Sequence, residues 1–244
     1  SICSRSSARS GPRWSATRDG VVAVGYTDDV TFHHVARSPG RSTPRPPLLV
    51  LLHGLGADEN DLLPLAGALD PRFLCVSIRA PYEAAPMGYA WYSIDWSTSP
   101  PAGDLAQAEE SREALCALLP DLAVHHGTDP ARTFLLGFSQ GAAMALAVAL
   151  TRPDLVRGAV LHSGRVVPGL AARSAAAEAL AHLEVLAVHG VHDDVIPVEH
   201  GRALRDLLAL RLGDRLTYRE HDAGHFVTQA TLDDAAAWLA ARAG

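Results

Sequence analysis

Residues 133–148 read TFLLGFSQGAAMALAV, and this stretch decides the fold that the sequence predicts. Thr133 to Leu136 is apolar and β-prone, Gly137 to Gly141 has the pattern G-x-S-x-G, and Ala142 to Val148 has the small residues of a closely packed helix. The bare pattern arises by chance in roughly one chain of this length in ten, because Gly and Ser each make up about 7% of residues. Between a strand and a helix, however, it is typical of a sharp turn that exposes a nucleophilic serine. The sequence therefore predicts that Ser139 lies at such a turn.

Strand patterns alternate with helix patterns on both sides of this turn. Leu48 to His53 is a continuous apolar run, which indicates a strand buried on both faces. The other strands are predicted at Val21 to Tyr26, Val30 to Ala36, Phe73 to Ile78, Gly158 to His162, Leu183 to His189 and Leu216 to His221, and the other helices near residues 61–69, 104–124, 198–212 and 229–242. This order predicts an α/β protein with a mostly parallel central sheet and helices on both faces. Together with the serine turn it indicates an α/β-hydrolase fold with no separate cap domain.

Length and charge bound the class of protein. The chain has 244 residues, of which 48% are hydrophobic and 20% charged, as in a soluble globular protein. The net charge of -6 argues against nucleic-acid partners, and no apolar run reaches the ~20 residues of a membrane helix, so no integral membrane association is expected. Residues 1–20 are rich in Ser and Arg with no acid before Asp19, which predicts a flexible N-terminal extension. Residues 21–244 are predicted to form a single α/β-hydrolase domain.

The cysteines indicate a reducing compartment. There are three of them, Cys3, Cys75 and Cys116, and they are widely spaced. Cys75 and Cys116 lie in apolar patterns and are predicted to be buried thiols. A cytoplasmic location is therefore expected.

A serine nucleophile needs a base, and the base needs an acid that orients it. In this fold the acid follows the serine in the chain and lies in a loop after a strand. Asp193 and Asp194 both come directly after the predicted strand Leu183 to His189. Either of them could accept a hydrogen bond from an imidazole, and the other would then serve as a turn or helix-capping residue.

The base is predicted to be His225, one of twelve histidines. It follows the predicted strand Leu216 to His221, and Gly224 before it permits the tight turn that would bring the ring toward the serine. His221 is the alternative.

Two backbone amides are predicted to form the oxyanion hole. One belongs to Gln140, the residue after the serine, and the other to Leu55 in the sequence His53-Gly54-Leu55-Gly56. Metal binding by His192, Asp193 and Asp194 is the competing interpretation. The chain has neither an H-E-x-x-H motif nor paired C-x-x-C motifs, so no metal and no cofactor is expected.

From about residue 47 to the end, the sequence resembles the phospholipase/carboxylesterase family of α/β-hydrolases, which includes acyl-protein thioesterases and bacterial carboxylesterases. The resemblance rests on His53-Gly54-Leu55-Gly56, Gly137-Phe138-Ser139-Gln140-Gly141, His189-Gly190 ahead of Asp193, and Gly224-His225. It implies Ser139, Asp193 and His225 as a catalytic triad, and so selects Asp193 over Asp194. It implies the amides of Leu55 and Gln140 as the oxyanion hole.

The substrate pocket is predicted from the long connection over residues 80–103. It is rich in Pro and Gly but also contains Met87, Tyr89, Trp91, Tyr92 and Trp96, which is more apolar than a disordered loop. An acyl-binding wall beside the serine is the favoured interpretation, and a loop packed over the edge of the core is the alternative. Met87, Trp91 and Ile196 are predicted to contact substrate, and Val166, Val167 and Leu170 are further candidates.

These observations predict a serine carboxylesterase that hydrolyses short- to medium-chain carboxylic esters through an acyl-enzyme on Ser139. Its substrate would be a small-molecule ester, and the resemblance makes a homodimer a candidate assembly. A lysophospholipase or acyl-protein thioesterase acting on longer chains is the main alternative. A dienelactone-hydrolase-like enzyme, a peptidase and a non-catalytic ligand-binding relative are weaker alternatives.

Overall fold

A nine-stranded sheet forms the centre of the computed structural model, which describes residues 13–16, 22–25 and 31–244. The strands in chain order are β1 (Arg13–Ala16), β2 (Val22–Gly25), β3 (Thr31–Arg37), β4 (Pro47–Leu52), β5 (Leu74–Arg79), β6 (Tyr82–Glu83), β7 (Tyr89–Ala90), β8 (Ile94–Asp95), β9 (Ala102–Gly103), β10 (Asp129–Phe138), β11 (Gly158–His162), β12 (Glu184–Gly190) and β13 (Leu216–His221). The α-helices are α1 (Leu105–His126), α2 (Gln140–Thr151), α3 (Leu170–Arg173), α4 (Val198–Leu212) and α5 (Gln229–Ala240).

The sheet is mostly parallel, as predicted. Its spatial order is β1-β2-β3-β5-β4-β10-β11-β12-β13. The six strands from β5 to β13 in this order pair parallel, and β1, β2 and β3 add an antiparallel edge. Because parallel strands end at the same edge, the loops after β4, β10, β11, β12 and β13 meet there. The predicted residues Leu55, Ser139, Asp193 and His225 lie at the start of these loops.

Both faces of the sheet are covered, which explains the unbroken apolar run of β4. Leu48, Val50 and Leu52 belong to a core that includes α1, α2 and α4, whereas Leu49 and Leu51 belong to a second core that includes α5. Side chains alternate between the faces of a strand, so a strand buried on both sides has no polar positions.

Helix α2 packs directly on the sheet because its residues are small. A β-carbon at Gly141 would lie 2.0 Å from the carbonyl oxygen of Leu52 in β4. All residues from Gln140 to Leu150 are buried, and six of the eleven are glycine or alanine. The small-residue pattern of the sequence thus reflects the close approach of this helix to the strands.

Two segments differ from their predicted structure, and a third agrees with it. The segment predicted as a helix over residues 61–69 forms only a short 3-10 helix, Leu63–Gly67. Arg13–Ala16, within the predicted flexible extension, forms an edge strand paired with β2. The predicted hairpin between β2 and β3 is present, although its turn at Asp28 and Asp29 lies outside the described residues.

Two further properties concern the chain as a whole. Cys75 and Cys116 are free and buried, as predicted, and burial raises the pKa of the Cys75 thiol to about 11. None of the helices in the described part of the chain has the length and apolarity that a membrane crossing requires.

Candidate active site

Ser139 lies at a strained turn between β10 and α2. Its φ of 55° and ψ of -116° are unusual for a residue with a side chain. The turn is held by a hydrogen bond of 2.8 Å from the Ser139 amide to the carbonyl of His162 in β11. A β-carbon at Gly137 would lie 2.3 Å from the carbonyl oxygen of Gly141, so the glycine at this position is a steric requirement of the turn.

Ser139, His225 and Asp193 form one hydrogen-bonded series. The distance from His225 Nε2 to Ser139 Oγ is 2.9 Å, and that from His225 Nδ1 to Asp193 Oδ2 is 2.7 Å. A carboxylate only accepts hydrogen bonds, so Nδ1 donates to Asp193 and Nε2 is left to accept the serine proton. The three residues come from the loops after β10, β12 and β13. The geometry is that of a serine nucleophile with an oriented base.

The side chain of Asp193 is fully buried, and hydrogen bonds from neighbouring groups stabilise its ionised form. Its Oδ1 accepts hydrogen bonds from the amides of Val195 and Ile196, at 3.1 and 2.7 Å. Burial acts to raise the pKa of the Asp193 carboxyl, but the hydrogen bonds from His225 and these amides outweigh it and hold the pKa below its usual value. The carboxylate of Asp193 is therefore ionised and can accept the hydrogen bond from His225.

The neighbours of Asp193 have other partners. Asp194 is exposed, and the exposed His192 pairs with Asp222 at 2.8 Å. The three residues considered as a metal site thus face different groups. No cluster of three metal-ligating side chains occurs among the residues that the structure describes.

The amides of Leu55 and Gln140 are available to a ligand. Gln140 begins α2, where first-turn N–H groups have no partner within the helix. Leu55 lies in the loop after β4. Within the described residues neither amide donates a hydrogen bond to another group. Both residues border the same cavity as Ser139 and His225, which is the arrangement that an oxyanion hole requires.

The loop that contains Leu55 is fastened on its far side to β7. The amide of Gly56 donates to the carbonyl of Tyr89, and the amide of Tyr89 donates to the carbonyl of Ala57, both at 2.9 Å. Glu59 in the same loop forms a buried ion pair with Arg79 at the end of β5. These contacts fix the backbone on either side of the Leu55 amide.

The side chain of Gln140 connects the serine turn to the segment 91–92. Its Oε1 accepts from the amide of Trp91 at 2.8 Å, and its Nε2 donates to the carbonyl of Tyr92 at 2.7 Å. Gln140 is buried, so both bonds are shielded from water. The sequence predicts a role only for the backbone amide of Gln140, as an oxyanion donor, and not for its side chain.

The prediction that Trp91 contacts substrate is wrong. Trp91 is 0% exposed, and its indole N–H donates to the carbonyl of His53 at 2.9 Å. Its ring packs against Phe32 and His53 within the core. The sequence predicts Trp91 in the pocket because this residue lies in an apolar loop. In the structure, however, its indole N–H is hydrogen-bonded in the protein interior.

A cavity of about 770 Å³ opens beside Ser139. The predicted wall formed by residues 80–103 is present, and the residues of this segment that border the cavity include Tyr92, Ile94, Trp96 and Pro100. Val166, Val167 and Ile196 also border it, as predicted, whereas Leu170 is buried in the core. Met87 is 73% exposed on the turn between β6 and β7 and does not border the cavity, so its predicted contact with substrate is wrong.

Two residues that border the cavity or support the site were missed in the sequence. Arg165 borders the cavity, and its position three residues after β11 was the signal that could have found it. Gly88 has a φ of +78°, and a β-carbon there would lie 1.9 Å from the carbonyl oxygen of Gly56. A glycine between two short strands gives no sequence signal that distinguishes this contact from an ordinary turn.

Two buried histidines near the site are neutral. Burial lowers the pKa of His162, behind the serine turn, to about 3. Burial also lowers the pKa of His53, whose Nδ1 donates to the carbonyl of Gly54 and whose Nε2 accepts from the amide of Ala80. Both rings are structural, because their nitrogens are directed at protein groups or the core.

Comparison with known proteins finds a matching family model and several similar proteins. The family model of phospholipases and carboxylesterases matches residues 37–242. Over 212 residues the chain is 27% identical to the esterase YpfH of Escherichia coli (strain K12), which covers 82% of this chain and 84% of YpfH. The crystal structure of esterase PE8 is 32% identical, with a TM-score of 0.72 over 85% of this chain and 97% of that one. Zea mays acyl-protein thioesterase 2 is 24% identical, with a TM-score of 0.72 over 86% of this chain and 99% of the other, and at that identity the likeness shows the fold alone.

Proposed function

The chain belongs to the phospholipase/carboxylesterase family of α/β-hydrolases and is accordingly a hydrolase of carboxylic esters, and we propose that it cleaves short- to medium-chain esters through an acyl-enzyme on Ser139. The observation that carries the proposal is the hydrogen-bonded series Ser139–His225–Asp193 at the edge of a mostly apolar cavity. A polar site of this kind in an apolar cavity binds a substrate by its hydrocarbon parts and reacts with it at one point.

The proposed reaction begins at the serine hydroxyl. His225 Nε2 takes the proton of Ser139 as Oγ bonds to the ester carbonyl carbon, and the carbonyl oxygen becomes an oxyanion. The amides of Leu55 and Gln140 donate to that oxyanion. The C–O bond to the alcohol then breaks, and the alcohol leaves with the proton from His225.

The second half of the reaction releases the acid. Water enters, His225 takes one of its protons, and the oxygen bonds to the acyl carbon. The bond to Ser139 breaks, and the serine oxygen recovers the proton from His225. Throughout the cycle Asp193 keeps the ring oriented and stabilises its positive charge.

The chain-length preference is proposed from the walls of the cavity. Tyr92, Trp96, Pro100, Val166 and Ile196 are among the apolar and aromatic residues that border it. Apolar walls discriminate only weakly between acyl chains of different length, by about 1–3 kcal/mol per methylene group. We therefore expect the protein to accept a range of acyl groups.

Hydrolysis of longer acyl chains, as thioesters or lysophospholipids, is the second candidate. Its support is the size of the cavity, because about 770 Å³ is within the range of roughly 300–1,000 Å³ that holds drug-sized ligands. The same catalytic residues would serve it. The two candidates differ only in how activity depends on the length of the acyl group.

A series of p-nitrophenyl esters tests the choice. Rates on acetate, butyrate, octanoate and palmitate are measured for the protein and for Ser139→Ala. The proposal predicts a kcat/KM that is highest at or below octanoate and is lost in the variant. Undiminished turnover of palmitate would instead support the second candidate.

A further inference from the structure

The loop after β11 brings Arg165 to the cavity. Ser163 follows the strand with a φ of 51°, and its amide donates to the carbonyl of Val188 at 2.9 Å. At Gly164 a β-carbon would lie 2.8 Å from the β-carbon of Ala142 in α2, so the chain passes close over this helix. Arg165 comes next, half-buried at the wall of the cavity that also borders Ser139.

The charge of the cavity is opposite to that of the protein. The whole chain has a net charge of -6. Among the described residues that border the cavity, however, no aspartate or glutamate is found, whereas Arg165 and two histidines, His200 and His225, are. A guanidinium stays protonated at any pH at which the protein is folded. Arg165 therefore places a permanent positive charge at the wall of the cavity.

Arg165 has no carboxylate partner in the described part of the chain. Other half-buried arginines do have one: Arg79 pairs with Glu59, Arg112 with Glu109, and Arg157 with Glu184. The group that faces Arg165 is the hydroxyl of Tyr92, where the guanidinium acts to lower the phenol pKa that burial raises. A neutral hydroxyl leaves most of the guanidinium's hydrogen-bonding and charge unsatisfied.

We propose that Arg165 binds an anionic group of the substrate, so that the preferred substrate is an ester with a carboxylate or phosphate a few bonds from the scissile carbonyl. The proposal rests on the ester hydrolysis proposed above and specifies its substrate class. An anion at the cavity wall would complete the hydrogen bonds of the guanidinium. Tyr92, which also borders the cavity, would orient the guanidinium.

Matched pairs of esters test the proposal. The first pair is mono-p-nitrophenyl glutarate and p-nitrophenyl valerate, whose acyl chains have equal length but end in a carboxylate or a methyl group. The second pair, O-acetylglycolate and ethyl acetate, moves the carboxylate to the alcohol side. The phosphate monoester of glycol monoacetate, compared with propyl acetate, replaces the carboxylate by phosphate. The variants are Arg165→Met, Arg165→Lys and, as a control outside the cavity, Arg173→Met.

The protein is expected to prefer the anionic member of one pair by about ten- to a hundredfold in kcat/KM, mainly through KM. Arg165→Met loses this preference, because its kcat/KM falls about ten- to a hundredfold more on the anionic ester than on the neutral one. Arg165→Lys keeps part of the preference, because its charge remains while the planar fork is lost. Arg173→Met keeps all of it. The pair that shows the effect identifies the anion and its side of the ester.

Equal effects of Arg165→Met on the anionic and neutral members of every pair would overturn the proposal. A binding measurement separates this result from failure of the proposed function. Glutarate should raise the Tm of Ser139→Ala but not that of the double variant Ser139→Ala/Arg165→Met. If no ester is hydrolysed in a Ser139-dependent manner, the proposed function fails, and the response to glutarate still decides whether Arg165 binds an anion.

Discussion

Gly88 touches the backbone of Gly56 so closely that a β-carbon at Gly88 would lie 1.9 Å from the carbonyl oxygen of Gly56. This contact connects the turn between β6 and β7 to the loop whose Leu55 amide is proposed to bind the oxyanion. We predict that Gly88→Ala displaces this loop and lowers kcat by about 10²–10³, the usual cost of a lost oxyanion donor. Steady-state kinetics on p-nitrophenyl butyrate measure the loss.

Gly127→Ala is the matched control for this substitution. Gly127 also has a positive φ, 65°, at the end of α1, but a β-carbon there meets nothing within 4 Å. Both variants should lose about 1 kcal/mol or more of unfolding free energy from backbone strain. If Gly88→Ala were as active as Gly127→Ala, the loop would not depend on this contact.

Asp193→Asn should lower kcat by about 10⁴, because an amide at this position favours the wrong tautomer of His225. Asp194→Asn should leave kcat within about twofold, since Asp194 is exposed and Asp193 alone bonds to the ring. The comparison shows which of two adjacent aspartates orients His225, because both follow the same predicted strand in the sequence. Equal losses in the two variants would contradict the assignment.

Gln140→Glu should lower both stability and activity. The carboxylate can still accept from the Trp91 amide, but it has no N–H for the carbonyl of Tyr92 and is buried against it. A loss of about 2 kcal/mol in unfolding free energy is expected from the unsatisfied groups. Gln107→Glu is the control, because the side chain of the half-buried Gln107 only accepts a hydrogen bond, from the amide of Ser93. Urea unfolding that does not distinguish the two variants would argue against the proposed role of the Gln140 side chain.

Acid should destabilise the protein through its buried histidines. The pKa of His162 is lowered to about 3 by burial, whereas in the unfolded chain a histidine titrates near 6.5. Below pH 6.5 the unfolded state therefore binds a proton that the folded state does not, and the unfolding free energy falls by about 1.4 kcal/mol per pH unit for this residue. His34 and His126, each with a pKa lowered to about 4, add to the effect.

Urea titrations between pH 7 and 5 measure this dependence. His162→Gln, which can still bond to Thr231, should show a shallower slope by about one proton. An unchanged slope in this variant would mean that His162 is protonated in the folded protein.

The sheet and the proposed catalytic residues could be predicted from the sequence because both have local signals. Apolar runs such as Leu48 to His53 reveal a strand covered on both faces, and the observed β11, β13 and α4 have the predicted bounds. Ser139, Asp193 and His225 each follow a strand, and the common direction of parallel strands brings them together. Their contact in space therefore follows from the strand order, although they are far apart in the chain.

The walls of the cavity were harder to predict because they depend on which way a loop turns. Trp91 and Tyr92 are adjacent in one apolar segment, yet Trp91 faces the core and only Tyr92 reaches the cavity. Hydrogen bonds to groups distant in the chain determine this orientation, namely the carbonyl of His53 and the side chain of Gln140. Arg165 likewise depends on the packing of Gly164 against α2. Such contacts leave no periodic pattern in the sequence.

Covalent trapping tests the central claim most directly. The protein and Ser139→Ala are treated with a fluorophosphonate, and the adduct is measured by intact mass and located by peptide mapping. One adduct per chain on Ser139, with loss of esterase activity in proportion and no labelling of the variant, is the predicted result. Labelling at another residue, or esterase activity in Ser139→Ala equal to that of the parent, would contradict it.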